Sequence, residues 1–138
     1  LHERVATHGI EDRVSFPGFV TGDEKQRLLS SSWVFALPSH QENFGVAVLE
    51  ALAAGLPVVV SEDVQLRSFI DQFDLGVVAP KNAEALADGM IRLLRDSDMR
   101  RRIGVRAPRA VNDTFSLPRV GERLETLYRH VAHPSATS

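Results

Sequence analysis

Two glutamates carry the clearest chemical signal in this sequence: Glu42 and Glu50, with seven residues between them. A carboxylate accepts two hydrogen bonds at once, which suits the vicinal hydroxyls of a sugar or a ribose. Glu42 stands ahead of a helix-like run that begins at Phe44, so it can point into a crevice. Glu50, nearly two turns into that run, can reach a group further along the same ligand. Between them, Gly45 lacks a Cβ and lets the backbone approach a ligand closely. Taken one at a time the carboxylates have plainer explanations, Glu42 as a complement to a helix dipole and Glu50 as a solvated surface residue.

The elements that must position these residues are legible around them. An apolar run, Trp33-Val34-Phe35-Ala36-Leu37, ends at Pro38-Ser39, the helical run follows, and a second apolar run, Pro57-Val58-Val59-Val60, comes after Gly55. This is strand, loop, helix, strand. Helix-period positions Val46, Leu49, Leu52 and Ala53 are expected to face a sheet, Gly55 to form a left-handed C-terminal cap, and Pro57 to stop the helix. In a βαβ unit of this kind, ligands sit beyond the carboxyl ends of the strands, and the helix N-terminus offers unpaired backbone N–H groups to an anion. The anion-facing loop is then residues 40–45.

Pro38-Ser39, Glu42-Asn43-Phe44-Gly45, Glu50-Ala51-Leu52-Ala53-Ala54-Gly55 and Pro57-Val58-Val59-Val60-Ser61 occur in order and at fixed spacing. The string closely resembles the donor-binding domain of the retaining GT-B glycosyltransferases, the large group 1 family, which is glycosyltransferase family 4-like. The resemblance extends to Arg13-Val14-Ser15-Phe16-Pro17-Gly18, to Gly76-Val77-Val78-Ala79-Pro80 and to Leu127-Tyr128, and so covers nearly the whole chain. It implies an α/β fold, a Rossmann-like parallel sheet with helices on both faces and a helical C-terminal segment. The domain is expected over residues 1–132, with 133–138 as a frayed tail.

The resemblance also implies roles. Glu42 would touch the donor sugar as the catalytic residue, and Glu50 would hold the ribose. The backbone of Asn43, Phe44 and Gly45, with Val46 beside them, would lie against sugar and phosphate. The loop from Gly18 through Phe19 and Val20 to Thr21 would lie by the nucleotide base, largely through main-chain contacts. The function implied is the donor half of a retaining glycosyltransferase, moving a hexose from a nucleotide-diphosphate sugar to an acceptor sugar or lipid held by an N-terminal domain. Catalysis would be electrostatic and positional, with amides at the helix start stabilising the departing diphosphate; no cofactor and no metal is expected. Two other classes stand beside it: a non-catalytic nucleotide-sugar-binding fragment, and a sugar-nucleotide epimerase on the same architecture, which needs acid–base residues this segment does not display.

Residues 1–8 resemble the last turns of an amphipathic helix, with Leu1 and Val5 on one face and Gly9 as its stop. A chain that opens mid-helix without Met is expected to be a piece of a longer protein. By the resemblance, two strands of the donor domain precede it, together with the loop whose Arg and Lys face the diphosphate. Neither of the two lysines, Lys25 and Lys81, occupies a matching position. The isolated chain is therefore expected to be inactive. Residues 14–16 read as a short strand, and Thr21 with Glu24 as a capping box opening a helix to about Ser31. Without the two preceding strands, those at Val14 and Val34 are expected either to pair directly or to recruit a partner chain.

Further on, residues 64–73 predict a helix with Leu66, Phe69, Ile70 and Phe73 inward, and 76–78 the last strand. Arg67 and Ser68 stand where the family commonly has a glutamate. Asn82 is expected to cap a helix with the stripe Leu86, Met90, Ile91 and Leu94, Asp98 to cap the next as far as Val111, and a last helix to cover 117–131.

Composition bounds the rest. One domain of 138 residues with 43% hydrophobic and 25% charged residues can bury a core. With no cysteine there are neither disulfides nor thiolate metal sites, and no apolar run approaches membrane-spanning length. A cytoplasmic setting is the expectation, since no signal peptide opens the sequence. The net charge of −2 argues against a general nucleic-acid binder. The arginines at 92, 95, 100, 101, 102, 106 and 109 lack interleaved aromatics and read as a solvated helical face. Asp96-Ser97-Asp98 reads as capping rather than a metal-holding D-x-D, and His130 with His133 has no third ligand nearby in sequence. Peripheral membrane association and self-association of the chain complete the partner expectations.

Overall fold

The computed structural model describes residues 2–39 and 45–115. The loop that carries Glu42, Asn43 and Phe44, the helix expected over 117–131, Leu127-Tyr128, the two histidines at 130 and 133 and the tail 133–138 lie outside these residues.

Three short strands, β1 (Phe35–Leu37), β2 (Val58–Ser61) and β3 (Gly76–Ala79), form a parallel sheet in the order β1-β2-β3. Phe35 pairs with Val58 and Leu37 with Val60, while Val58 pairs with Gly76 and Ser61 with Ala79. Every residue of the central β2 is buried, which is why it reads as an uninterrupted valine run rather than an alternation. Helices stand on both sides of the sheet. Gly89 of α5 (Ala83–Arg95) packs directly on Val59 and Val77, while α3 (Val46–Ala53) and α4 (Arg67–Phe73) are the crossovers between successive strands. Such crossovers are right-handed and share one face of the sheet.

The helix ends follow local rules. Gly55, at φ +80°, closes α3 in a Schellman motif: its N–H donates to Leu52 O (3.0 Å) and the Leu56 N–H to Ala51 O (2.9 Å), after which Pro57 starts the extended chain. The Ala85 N–H donates to Asn82 Oδ1 at 2.8 Å, so Asn82 caps α5 as its position predicts. The last described helix, α6 (Ser97–Phe115), packs on α3, α4 and α5. It runs through Pro108, whose missing N–H leaves the Gly104 carbonyl without its usual helical donor. That carbonyl faces the bare side of Gly55, where a Cβ would stand 3.0 Å from it.

Several local expectations are corrected. On α3 Leu52 is buried and Leu49 half-buried against the core as expected, but Val46 and Ala53 are exposed and Val48 and Ala51 are buried instead, because the helix is covered by α6 as well as by the sheet. On α5 the buried positions are Gly89 and Leu93; Ile91 and Leu94 are exposed, since the packing seam follows the residue small enough to approach β2 and β3. The cap of α6 is Asp96, whose Oδ1 accepts from the Met99 N–H at 2.7 Å, while Asp98 pairs with Arg101 at 3.0 Å. The helix also continues to Phe115, beyond Val111. The start of α4 is Arg67 rather than Val64.

The N-terminal third departs most. The α1 helix (His2–Thr7) forms, but residues 14–16 are not a strand and do not pair with β1. Val14 is extended, at φ −120° and ψ 123°, yet extended backbone becomes strand only beside a neighbour whose donors and acceptors it can meet. The α2 helix (Gly22–Ser31) forms as expected, without the capping box. Gly22 takes φ +56° at the helix start, and the Thr21 side chain makes no cap hydrogen bond.

Candidate functional site

The carboxyl ends of the strands are tied together by one buried polar side chain. Ser61, at the end of β2, is fully buried and its Oγ donates to Ser39 O at 2.6 Å. This bond satisfies a hydroxyl that would otherwise cost free energy to bury, and it fixes where the chain leaves β1. On the far side of the loop Gly45 is buried and left-handed, at φ +61°, with Leu66 filling the space beside it so closely that a Cβ would lie 3.0 Å from Leu66 Cδ1. The carbonyl of Gly45 accepts from Val48 and Leu49 at 2.8 and 3.1 Å and so starts α3. Among the described residues no side chain caps this end of α3.

Glu50 follows on α3, half-exposed, and is not a free surface carboxylate. Lys25, in the first turns of α2, places its Nζ 2.6 Å from Glu50 Oε1, with the two side chains 34% and 35% exposed. The pair holds the first turns of α2 beside α3, which carries Val46 and Glu50 after Gly45; Gly18 (φ +76°) and half-buried Val20 precede α2 in the chain. Val46 itself is largely exposed, at 59%. Thus Gly45, Val46 and Glu50 stand together at and along α3, Gly18 and Val20 lie in the segment before α2, and Glu42, Asn43 and Phe44 lie outside the described residues.

Beyond β2 the chain forms an open depression of about 450 Å³ lined by Glu62, Asp63, Val64, Gln65, Arg67 and Ser68. Lys81, after β3, reaches Asp63 Oδ2 at 2.7 Å, and the Arg67 guanidinium donates to Glu62 O at 3.0 Å. Both lysines are therefore paired with carboxylates of this end of the sheet. Sequence reasoning missed the partnership of Lys25 with Glu50, because residues 25 apart share no local periodicity. It also missed the role of Ser61, for which a hydroxyl directly after three buried valines was the available sign.

The arginine face also has internal duties. Arg100 donates to the carbonyls of Leu93 and Leu94 at 2.7 and 2.6 Å, and its guanidinium lies 4.9 Å from the Trp33 ring centroid. Arg106 donates to both the carbonyl and the carboxylate of Asp74, at 2.6 and 2.8 Å. These two side chains hold α6 to its neighbours, whereas Arg101 and Arg102 match the expected solvated face. No described helix is long and apolar enough to cross a membrane, and among the described residues no three His, Asp or Glu side chains form a group that could hold a metal ion.

A parallel sheet with a helix N-terminus and a paired carboxylate at the carboxyl ends of its strands defines the open α/β class, whose ligands bind there. Residues 1–110 match the family described as "Glycosyl transferases group 1", and the chain belongs to that family. It is 37% identical over 88% of its length to an uncharacterized glycosyltransferase of Methanocaldococcus jannaschii, covering 31% of that protein. It is 33% identical, again over 88%, to N-acetyl-alpha-D-glucosaminyl L-malate synthase of Bacillus anthracis, covering 32% of it. Sucrose-phosphate synthase from Thermosynechococcus elongatus superposes on 97% of this chain with a TM-score of 0.82 and 28% identity, and 34% of that protein is covered. The fold is that of the GT-B glycosyltransferases, and the chain spans about a third of the length of these relatives.

Proposed function

We propose that this chain is the donor-binding part of a retaining glycosyltransferase that takes a nucleotide-diphosphate sugar and transfers its sugar to an acceptor bound elsewhere in the whole protein. The observation that carries this reading is the arrangement on α3: a buried left-handed Gly45 opens the helix at the strand ends, and Glu50 stands on the same helix beside the start of α2. A helix N-terminus favours a diphosphate by about 1 kcal/mol, and a carboxylate one to two turns along suits the vicinal hydroxyls of the ribose. Membership of the group 1 family supports sugar transfer, and relatives in the family are named as transferases and synthases of sugars. In this reading Glu42 meets the donor sugar, the segment from Gly18 to Val20 meets the base, and the isolated chain, lacking the acceptor site, transfers nothing.

The two glutamates then have separable jobs. Calorimetric titration of nucleoside diphosphate and of intact donor into the full-length protein tests this. Glu42→Gln is expected to cut transfer while leaving free nucleoside diphosphate affinity nearly intact, and Glu50→Ala to weaken both ligands by about tenfold to a hundredfold. Equal losses for both variants, or no loss for either, would rule out the assignment. A thermal-shift series of UDP, GDP and ADP with their sugar conjugates identifies the base.

A further inference from the structure

We propose that Lys25 is a positioning residue for the nucleotide site: it anchors one oxygen of the Glu50 carboxylate so that the other is presented to the ribose hydroxyls. This rests on the assignment of Glu50 to the ribose. The Nζ of Lys25 lies 2.6 Å from Oε1, and among the described residues Oε2 has no protein partner. A free glutamate samples many rotamers and loses side-chain entropy when a ligand orders it. A carboxylate already held at one oxygen has given up that freedom before the ligand arrives, so the bond to the diol forms with less loss.

The geometry also explains why a lysine suits the position. At roughly one-third exposure a lone ion pair on these two side chains adds little stability. The apolar anchor of α2 is half-buried Leu29 on the core, a turn away from Lys25, so the pair is not what seats the helix. What the pair does is hold one carboxylate in one orientation at the carboxyl ends of the strands, where the ligand crevice lies. Lys25 itself reaches the nucleotide only through Glu50.

The test is a double-mutant cycle in the full-length protein, reading affinity for a ribonucleoside diphosphate and for its 2′-deoxy analogue. Lys25→Met is expected to lower the ribo-to-deoxyribo affinity ratio about threefold to tenfold, with the deoxy affinity nearly unchanged. A loosened α2 would instead weaken both ligands alike. Lys25→Arg should restore most of the ratio, and in the Glu50→Ala background Lys25→Met should have no further effect. If the parent protein discriminates and Lys25→Met discriminates equally well, Lys25 has no positioning role. Additive losses in the cycle would mean that Lys25 touches the nucleotide directly, which also overturns the proposal. A parent protein that does not distinguish ribose from deoxyribose, or whose Glu50→Ala variant retains the full ratio, removes the ribose assignment and this inference with it.

Discussion

Residues 2–33 and residues 45–115 both form helices with apolar faces, yet all the buried hydrophobic residues come from the second region. In the first, α1 and α2 have no fully buried residue, Phe19 is 96% exposed and Trp33 is 64% exposed. In the second, Val58, Val59, Val60, Leu52, Ile70, Leu75, Leu93 and Ile103 are shut from solvent. The difference lies in what each helix finds to pack on. The sheet offers β2 and β3 to α4 and α5, and α6 adds another wall, whereas among the described residues the N-terminal helices reach the core through half-buried Leu29 of α2. An apolar stripe is a capacity for burial, and a facing surface is what turns it into stability. Beside Leu29 on the core, the two regions meet at polar contacts that carry direction instead of bulk: Lys25 with Glu50, and Arg100 over Trp33.

Substitutions at close-packed points of the second region should break the contrast most severely. A Cβ on Gly76 would lie 2.0 Å from Val58 O, so Gly76→Ala is expected to separate β3 from β2 and cost more than about 4 kcal/mol. The measurement is urea unfolding; a variant as stable as the parent would show that the β2–β3 contact is not what holds the core.

Next in size is Ile103→Ala, in α6, at about 2–5 kcal/mol, set against Phe19→Ala at no more than about 0.5 kcal/mol. Comparable losses at the two sites would mean that Phe19 is covered in solution and that the regions differ less than their exposure indicates. Gly55→Ala lies between these, at about 1–3 kcal/mol, because it strains a left-handed residue and crowds the Gly104 carbonyl. Thermal melts with the Gly104 partner intact resolve it.

The smallest effects sharpen the comparison at the helix starts. Asn82→Ala should cost about 1 kcal/mol, since it removes a formed cap, while Thr21→Ala should change stability by less than about 0.5 kcal/mol because its hydroxyl caps nothing. Equal costs would show that α2 adopts the capping box in solution. Amide exchange across the chain provides the matching local measure: α2 should exchange at rates near those of frayed helix, and β2 only through global unfolding.

Much was settled by the sequence alone. The valine run of β2, the Gly55-Leu56-Pro57 helix stop, Asn82 as a cap and the apolar positions of α4 each follow from interactions within a few residues, so their outcome is written locally. The same holds for Glu50 on a helix between two parallel strands. Tertiary structure decided everything that depends on a second surface. It turned the buried face of α3 toward Val48 and Ala51 because α6 lies over it, and it chose Gly89 as the seam of α5 because Val59 and Val77 stand there. It denied residues 14–16 a strand because no neighbour pairs with them, and it brought Lys25 to Glu50 across 25 residues of chain. A strand, a packed face and an ion pair each need a partner whose place is set by the whole fold, and no periodicity in the sequence specifies where that partner will be.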